Sequence, residues 1–227
     1  MKNILIKISG ELFSDSSSDL ISNVIQQIKA LKKSYNIGIV LGAGNIFRGS
    51  EHGSKLGIKK TTAHTAGMVA TIINGLIFQD LLEKEGISTQ LFSAINCPSV
   101  ACTIKQKTID DSIAKNKCLI FVGGTGNPFF TTDTNAILRA LQIGAQEVWK
   151  ATKVDGIYSS DPIKNKDSKL YKKITYKEVV EQNLKIMDQT AITLAQEHNI
   201  KIRVFNIFKK DALIKVCLDE TVGSYIS

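Results

Sequence analysis

The stretch Thr125-Gly-Asn-Pro-Phe-Phe-Thr-Thr-Asp133 decides how this chain is read. It follows Cys118-Leu-Ile-Phe-Val-Gly-Gly124, a short apolar run of the kind that forms a buried strand. It precedes a helical pattern in which Ile137, Leu138, Leu141 and Ile143 are apolar. Such a strand-to-helix junction lies at the carboxyl end of a sheet, where open α/β folds bind their ligands. The free N–H groups of a helix start and the hydroxyls of Thr125, Thr131 and Thr132 can hold a phosphate or a base edge. Asp133 stands where a carboxylate can work near phosphates through a metal. The competing reading is an N-capped turn with Phe129 and Phe130 in the core.

The same layout recurs upstream. Ile4-Leu-Ile-Lys-Ile-Ser-Gly-Glu11 is a β-rich run that ends in small residues, and Ile37-Gly-Ile-Val-Leu41 runs into Gly42-Ala-Gly-Asn-Ile-Phe-Arg-Gly49. Small residues at strand ends let the backbone approach a polyanion closely. Lys7 lies within an apolar strand, where its charge is costly to bury unless it meets an anion. The alternative is an edge-strand lysine turned to solvent. Arg48, one of three arginines with Arg139 and Arg203, sits at a glycine-rich turn, where a planar guanidinium suits a phosphate. The chain has neither a Walker loop nor a GxGxxG fingerprint.

Taken in order, these segments resemble the amino acid kinase family, in its bacterial uridylate kinase branch. The resemblance rests on Lys7–Glu11, Gly42–Gly49, Gly67–Gly75, Gly124–Asp133, Lys150–Gly156 and Asp161-Pro162, and it continues through Leu184–Asp188 and Ile202–Asn206. It implies transfer of the γ-phosphoryl of ATP to UMP, with Mg2+ as cofactor, in a cytoplasmic homohexamer. By resemblance, the catalytic residues are Lys7, Arg48, Asp133 and Lys153. ATP is expected at Lys7, Ile8, Ser9, Gly10, Gly44, Arg48, Thr152, Tyr158 and Asp161, with Tyr158 near the adenine and Asn45 beside Gly44 at the crossing point. UMP is expected at Ala43, His64 and the run Thr125, Gly126, Asn127, Pro128, Phe129, Phe130, Thr131 and Thr132. Asp133 would organise the lysines and magnesium, without a dedicated metal site.

Three features depart from the family's pattern. Its Gly-Gly-Gly-Asn reads Gly42-Ala43-Gly44-Asn45 here, which puts a methyl at a close backbone approach. Its Gly-Asp-His-Met-Gly-Met reads Ala63-His64-Thr65-Ala66-Gly67-Met68, so a neutral ring replaces the acid that would hold the ribose. The segment tied to activation by GTP is short, Leu12 to Asp19. These departures keep two alternatives open: a non-catalytic nucleotide-sensing or nucleic-acid-binding member of the same fold, and a kinase of another small acid.

Composition agrees with one large α/β domain over residues 1–227, with 43% hydrophobic residues to fill a core. The four cysteines, Cys97, Cys102, Cys118 and Cys217, show no metal-ligand spacing and read as free thiols of a reducing compartment. The formal charge is +8 without a dense basic block, which fits an anionic small substrate as well as nucleic acid. No signal-peptide layout is expected, and no stretch long and apolar enough to span a membrane.

Strands alternating with helices predict a three-layer αβα sandwich around a mostly parallel sheet. Ser16-Ser-Ser-Asp19 is expected to cap a helix whose apolar face holds Ile21, Val24, Ile25, Ile28 and Leu31. Gly49 to Lys60 is expected to be a loop. Met68, Val69, Ile72, Ile73, Leu76 and Ile77 line a long helix ending near Gly86, which can supply a dimer seam or core. Thr175 with Glu178 forms a capping box, and Asp188 opens another helix.

Overall fold

Strand β1 (Lys2–Ile8) shows the logic of the fold, because its side chains alternate between two different cores. Ile4, Ile6 and Ile8 enter one apolar cluster, while Leu5 enters another on the opposite face. A strand buried on both faces reads as a continuous apolar run, which is what parallel sheets require. The computed structural model describes residues 1–14, 18–160, 165, 167–219 and 221–227.

After β1 and a 3-10 turn (Gly10–Phe13) come α1 (Ser18–Leu31), β2 (Tyr35–Leu41), α2 (Gly49–Leu56), α3 (Lys60–Lys84), β3 (Thr89–Ser93) and β4 (Cys102–Thr103). Then follow α4 (Gln106–Ala114), β5 (Cys118–Val122), α5 (Thr132–Gln142) and β6 (Glu147–Thr152). A small hairpin, β7 (Ile157–Tyr158) with β8 (Leu170–Tyr171), leads to β9 (Lys173–Ile174), α6 (Tyr176–Glu181), α7 (Gln189–Glu197), β10 (Lys201–Asn206), α8 (Ala212–Leu218) and β11 (Ser224–Ile226). The main sheet has nine strands in the order β4-β3-β5-β2-β1-β6-β10-β11-β9. Every pairing in it is parallel except β10 with β11. Helices α1, α3 and α8 cover one face, and α4, α5, α6 and α7 the other, so the αβα sandwich is as expected.

The chain builds outward from β1 in both directions, with β2 on one side and β6 on the other. That is the topological switch point of an open α/β sheet, and ligands bind outside the strand carboxyl ends there. Helix α3 ties down the loops at this end. Its fully buried Asn74 donates through Nδ2 to the Gly42 carbonyl at 2.8 Å and to Asn45 Oδ1 at 2.9 Å. Thr71 Oγ1 accepts the Gly123 N–H at 2.7 Å. Gly75 lets the helix lie on β5, because a Cβ there would stand 2.4 Å from Val122 Cγ1.

Two expectations need correction. Gly49 to Lys60 is not a loop, because Gly49–Leu56 forms α2 and α3 already starts at Lys60. The glycines misled the reading: Gly53 serves close helix packing, since a Cβ there would meet Ala63 Cβ at 2.6 Å, and Gly57 ends α2 at φ 64°. The expectation of no span-like segment also fails. Helix α3, 25 residues long with mean hydropathy 1.4 over its most apolar window, is long and apolar enough to cross a membrane. In the fold its Ile72, Phe78 and Leu82 pack in the core against the sheet. Ser16 and Ser17, read as part of a cap, lie outside the described residues; the capping box of Thr175 with Glu178 and the Asp188 cap of α7 are present.

Candidate active site

Lys7 shares its face of β1 with Leu5, and Lys150 shares its face of β6 with Val148. The two lysines are register partners across the β1–β6 ladder, so period-2 alternation sends both side chains to the α5 side of the sheet. There they meet Asp133 in the first turn of α5. Lys7 Nζ lies 3.0 Å from Oδ1, and Lys150 Nζ lies 2.5 Å from Oδ2, with side-chain exposures of only 11–13% across the trio. Lys150 also donates to the Ile186 carbonyl at 2.6 Å. Asp133 Oδ1 faces Lys7 as an ion pair but accepts no directed hydrogen bond. Burial opposes ionisation of Asp133, yet the two ammonium groups override it and hold the carboxyl at about 2. Burial likewise pushes Lys150 down to about 8, against the pull of Asp133. Two cations on one acid leave a net positive charge at the strand ends, where a further anion completes the balance.

A second acid shared by two cations sits at the ends of the same strands. Glu11 follows β1 in the 3-10 turn, and its Oε1 accepts from Arg48 Nη2 at 2.8 Å and Lys153 Nζ at 3.4 Å. Arg48 caps α2, and its Nε donates to the Gly44 carbonyl at 3.2 Å. Here the side chains are open to solvent: 27% exposed for Glu11, 48% for Arg48 and 57% for Lys153. Gly10 makes the convergence possible, because a Cβ there would stand 2.6 Å from Asn45 Oδ1 and 2.8 Å from the Gly42 carbonyl.

The Thr125–Asp133 segment forms the third wall. Gly123 and Gly126 take φ of 76° and 81°, turning the chain sharply off β5. Thr131 caps α5, accepting from the N–H groups of Asp133 and Thr134, and its hydroxyl donates to Asp188. Asp188 also accepts from Thr134 Oγ1 at 2.7 Å while capping α7 through Ala191 N at 3.0 Å. The N-capped turn is therefore real, but Phe129 and Phe130 are exposed rather than in the core. Phe129 holds φ 73°, unusual for a bulky residue, with its ring 5.0 Å from that of His64.

The comparisons with known proteins fit this geometry. The family model described as "Amino acid kinase family" matches residues 2–206. Curated uridylate kinases from Yersinia pestis (strain Pestoides F) and Serratia proteamaculans (strain 568) are each 40% identical over 232 residues, covering 100% of this chain and 96% of theirs. The chain belongs to the amino acid kinase family. The solved structure of UMP kinase from Ureaplasma parvum superposes with TM-score 0.91 at 38% identity, covering 99% of this chain and 97% of that one. UMP kinase from Bacillus anthracis gives 0.93 at 32% identity, covering 100% and 96%. Uridylate kinase from Archaeoglobus fulgidus, 24% identical with TM-score 0.76, shares the fold.

Within this amino acid kinase fold, most residues picked from the sequence converge. Lys7, Arg48 and Lys153 lie at the carboxyl ends of β1, β2 and β6 or in the loops that follow them, and Asp133 opens α5 beyond the end of β5. Ser9 caps the 3-10 turn, and the Ile8 side chain is wholly buried, with its carbonyl taken by Gly42 N at 2.9 Å. Ala43 is buried and is not among the positive-φ residues, so its methyl sits without backbone strain. Thr152 and Tyr158 line a cavity of ≈ 500 Å³ with Lys150, Val154 and Gly156, within the usual range for a small-molecule site. A smaller cavity of ≈ 280 Å³, lined by Asp133, lies beyond the Asn183–Ile186 segment that the two share. Asp161 lies outside the described residues. Lys150, Glu11 and Asn74 lie inside the quoted motifs without an assigned role, and Asp188 reads there only as the start of a helix. A second lysine in an otherwise apolar strand was the available signal for Lys150; nothing local marks Glu11 as a shared acceptor.

Proposed function

We propose that this chain is a UMP kinase, moving the γ-phosphoryl of ATP onto UMP to give UDP and ADP. The observation that carries this reading is the buried Lys7–Asp133–Lys150 cluster at the sheet's switch point, in a chain alignable end to end with uridylate kinases. Phosphoryl transfer brings two polyanions together, so the protein's contribution is cations, N–H groups and alignment. Lys7, fixed between strand and acid, neutralises charge developing on the transferred group without reorganising. Lys150 holds Asp133, and Asp133 orients Lys7. Arg48 and Lys153 add mobile positive charge at the mouth. The ≈ 500 Å³ cavity beside Thr152 and Tyr158 takes the adenosine side of ATP. The Thr125–Thr132 segment, with Ala43, Gly44 and His64, takes UMP.

Among the described residues, no group of three or more His, Cys, Asp and Glu could hold a metal. Mg2+ binds through one or two carboxylates and keeps phosphate and water ligands. Asp133, whose Oδ1 accepts no directed hydrogen bond, is the residue that would hold it. When bound, Mg2+ supplies further charge neutralisation on the phosphates. We also infer one domain across residues 1–227, acting in the cytoplasm as a homo-oligomer, a hexamer by family likeness. Supporting assembly, α3 leaves Val69, Ile73, Leu76 and Ile77 at least 41% exposed in a row.

The test is a coupled assay offering UMP, CMP, AMP, glutamate and carbamate in turn with Mg-ATP. UMP is expected to give by far the highest kcat/KM, because a site that hydrogen-bonds one base edge leaves buried groups unpaired with another. Equal kcat/KM for UMP and CMP, or turnover of glutamate or carbamate instead, would refute the reading.

A further inference from the structure

Glu11 lies in a cleft built for anions and yet carries a negative charge, and the proposed reaction gives it no part. Its single Oε1 is shared by Arg48 Nη2 and Lys153 Nζ at 2.8 and 3.4 Å. These cations come from the loops after β2 and β6, repel each other, and are about half exposed. We propose that Glu11 is an exchangeable counter-ion: it holds Arg48 and Lys153 together at the cleft mouth until the phosphates of the nucleotide take both.

Three observations favour exchange over a permanent tether. Ion pairs this exposed add little net stability, so a polyphosphate with several charged oxygens outcompetes one carboxylate oxygen. Arg48 has a second anchor, Nε to the Gly44 carbonyl at 3.2 Å, which keeps its guanidinium at the mouth while the Nη2 partner changes. The Glu11 backbone is held in the 3-10 turn, where Ser9 Oγ accepts its N–H at 3.4 Å, so its shorter side chain has less reach than the two long cations that close on it. Glu11 is thus a positioning residue. It gathers mobile cations where phosphates arrive, and it opposes binding slightly through its own charge.

This inference rests on the kinase reading, and one set of measurements separates the two. MgATP is titrated calorimetrically into the native protein and E11Q at low and high salt, and the KM for ATP is measured with saturating UMP. E11Q is expected to bind MgATP more tightly by roughly two- to fivefold at low salt, with the KM falling in step. The gain should fade at high salt, where exposed charges are screened. A merely structural role would weaken binding or lower the melting temperature, and would not produce a salt-sensitive gain. E11D, too short to reach both cations, should also bind more tightly, so a misfolded E11Q still leaves the idea testable. If the native protein phosphorylates UMP and neither variant binds MgATP more tightly, the exchange is overturned and the kinase reading stands. If the native protein phosphorylates nothing offered, the kinase reading falls first.

Discussion

The buried and the exposed acid-centred clusters have the same charge pattern and opposite characters. Each is one carboxylate between two cations at the ends of β1 and its neighbours. Lys7–Asp133–Lys150 is nearly closed to water: its two ammonium groups hold the acid at about 2 against burial, and burial pushes Lys150 down to about 8 against the pull of the acid. Arg48–Glu11–Lys153 lies in solvent, where screening and side-chain entropy leave little net energy. The first cannot come apart without leaving a charge unpaired in the interior, while the second can change partners at small cost. The proposed phosphoryl transfer draws on both properties: a rigid charge at the reacting group and adaptable charge on substrates that enter and leave.

The largest effect is expected from Asp133→Asn. Removing the acid leaves two lysines facing each other, and loss of one partner from a buried cluster costs about 3 kcal/mol or more. Chemical denaturation should show that loss, together with collapse of turnover. A variant as stable as the native protein would mean the cluster is hydrated and the contrast between the two regions is false.

Next comes Lys7→Ala, which should keep the fold and lower kcat roughly 10²-fold or more, the scale of losing one pre-oriented electrostatic stabiliser. Near-native kcat in the purified variant would remove Lys7 from the reaction. The pH dependence sharpens the same point. Asp133 is held at about 2, below its ordinary 3.8, so it contributes stability above 3.8 that disappears as the pH falls towards 2. The stability gap between the native protein and Asp133→Asn should therefore narrow by about 2 kcal/mol across that window. A gap that stays constant in acid contradicts the ion-pair account.

The smallest effect is expected in the exposed cluster. Arg48→Ala should change stability by less than about 0.5 kcal/mol and raise the KM for nucleotide by roughly tenfold through one lost charged hydrogen bond. A marked drop in melting temperature would show that Arg48 is structural, as its position at the start of α2 also permits.

Much of this was legible before the fold was known, and the misses have physical causes. Apolar runs announced β1, β2 and β5, and the Thr175 and Asp188 caps marked α6 and α7, because strands and caps are written in local residue types. Helix α2 was missed because glycine reads as a breaker in sequence, whereas Gly53 here is a contact point for Ala63. The competing core reading of Phe129 and Phe130 fails, since both side chains are exposed at the turn before α5 and local sequence does not report burial.

By itself the sequence determined the strand-helix alternation, the small-residue strand ends and the ordered motifs that place the chain in its family, because these depend on residues near one another in the chain. Only the tertiary structure decided which charges meet. Lys7 and Lys150 face the same acid because β1 and β6 pair in a register that puts them side by side. Lys153 reaches Glu11 Oε1, 142 positions away in the chain, only because both residues follow neighbouring strands at the same end of the sheet. Alternation along one strand fixes which side a residue takes relative to its neighbours, but register between strands and the burial around them set its partner and the strength of its charge.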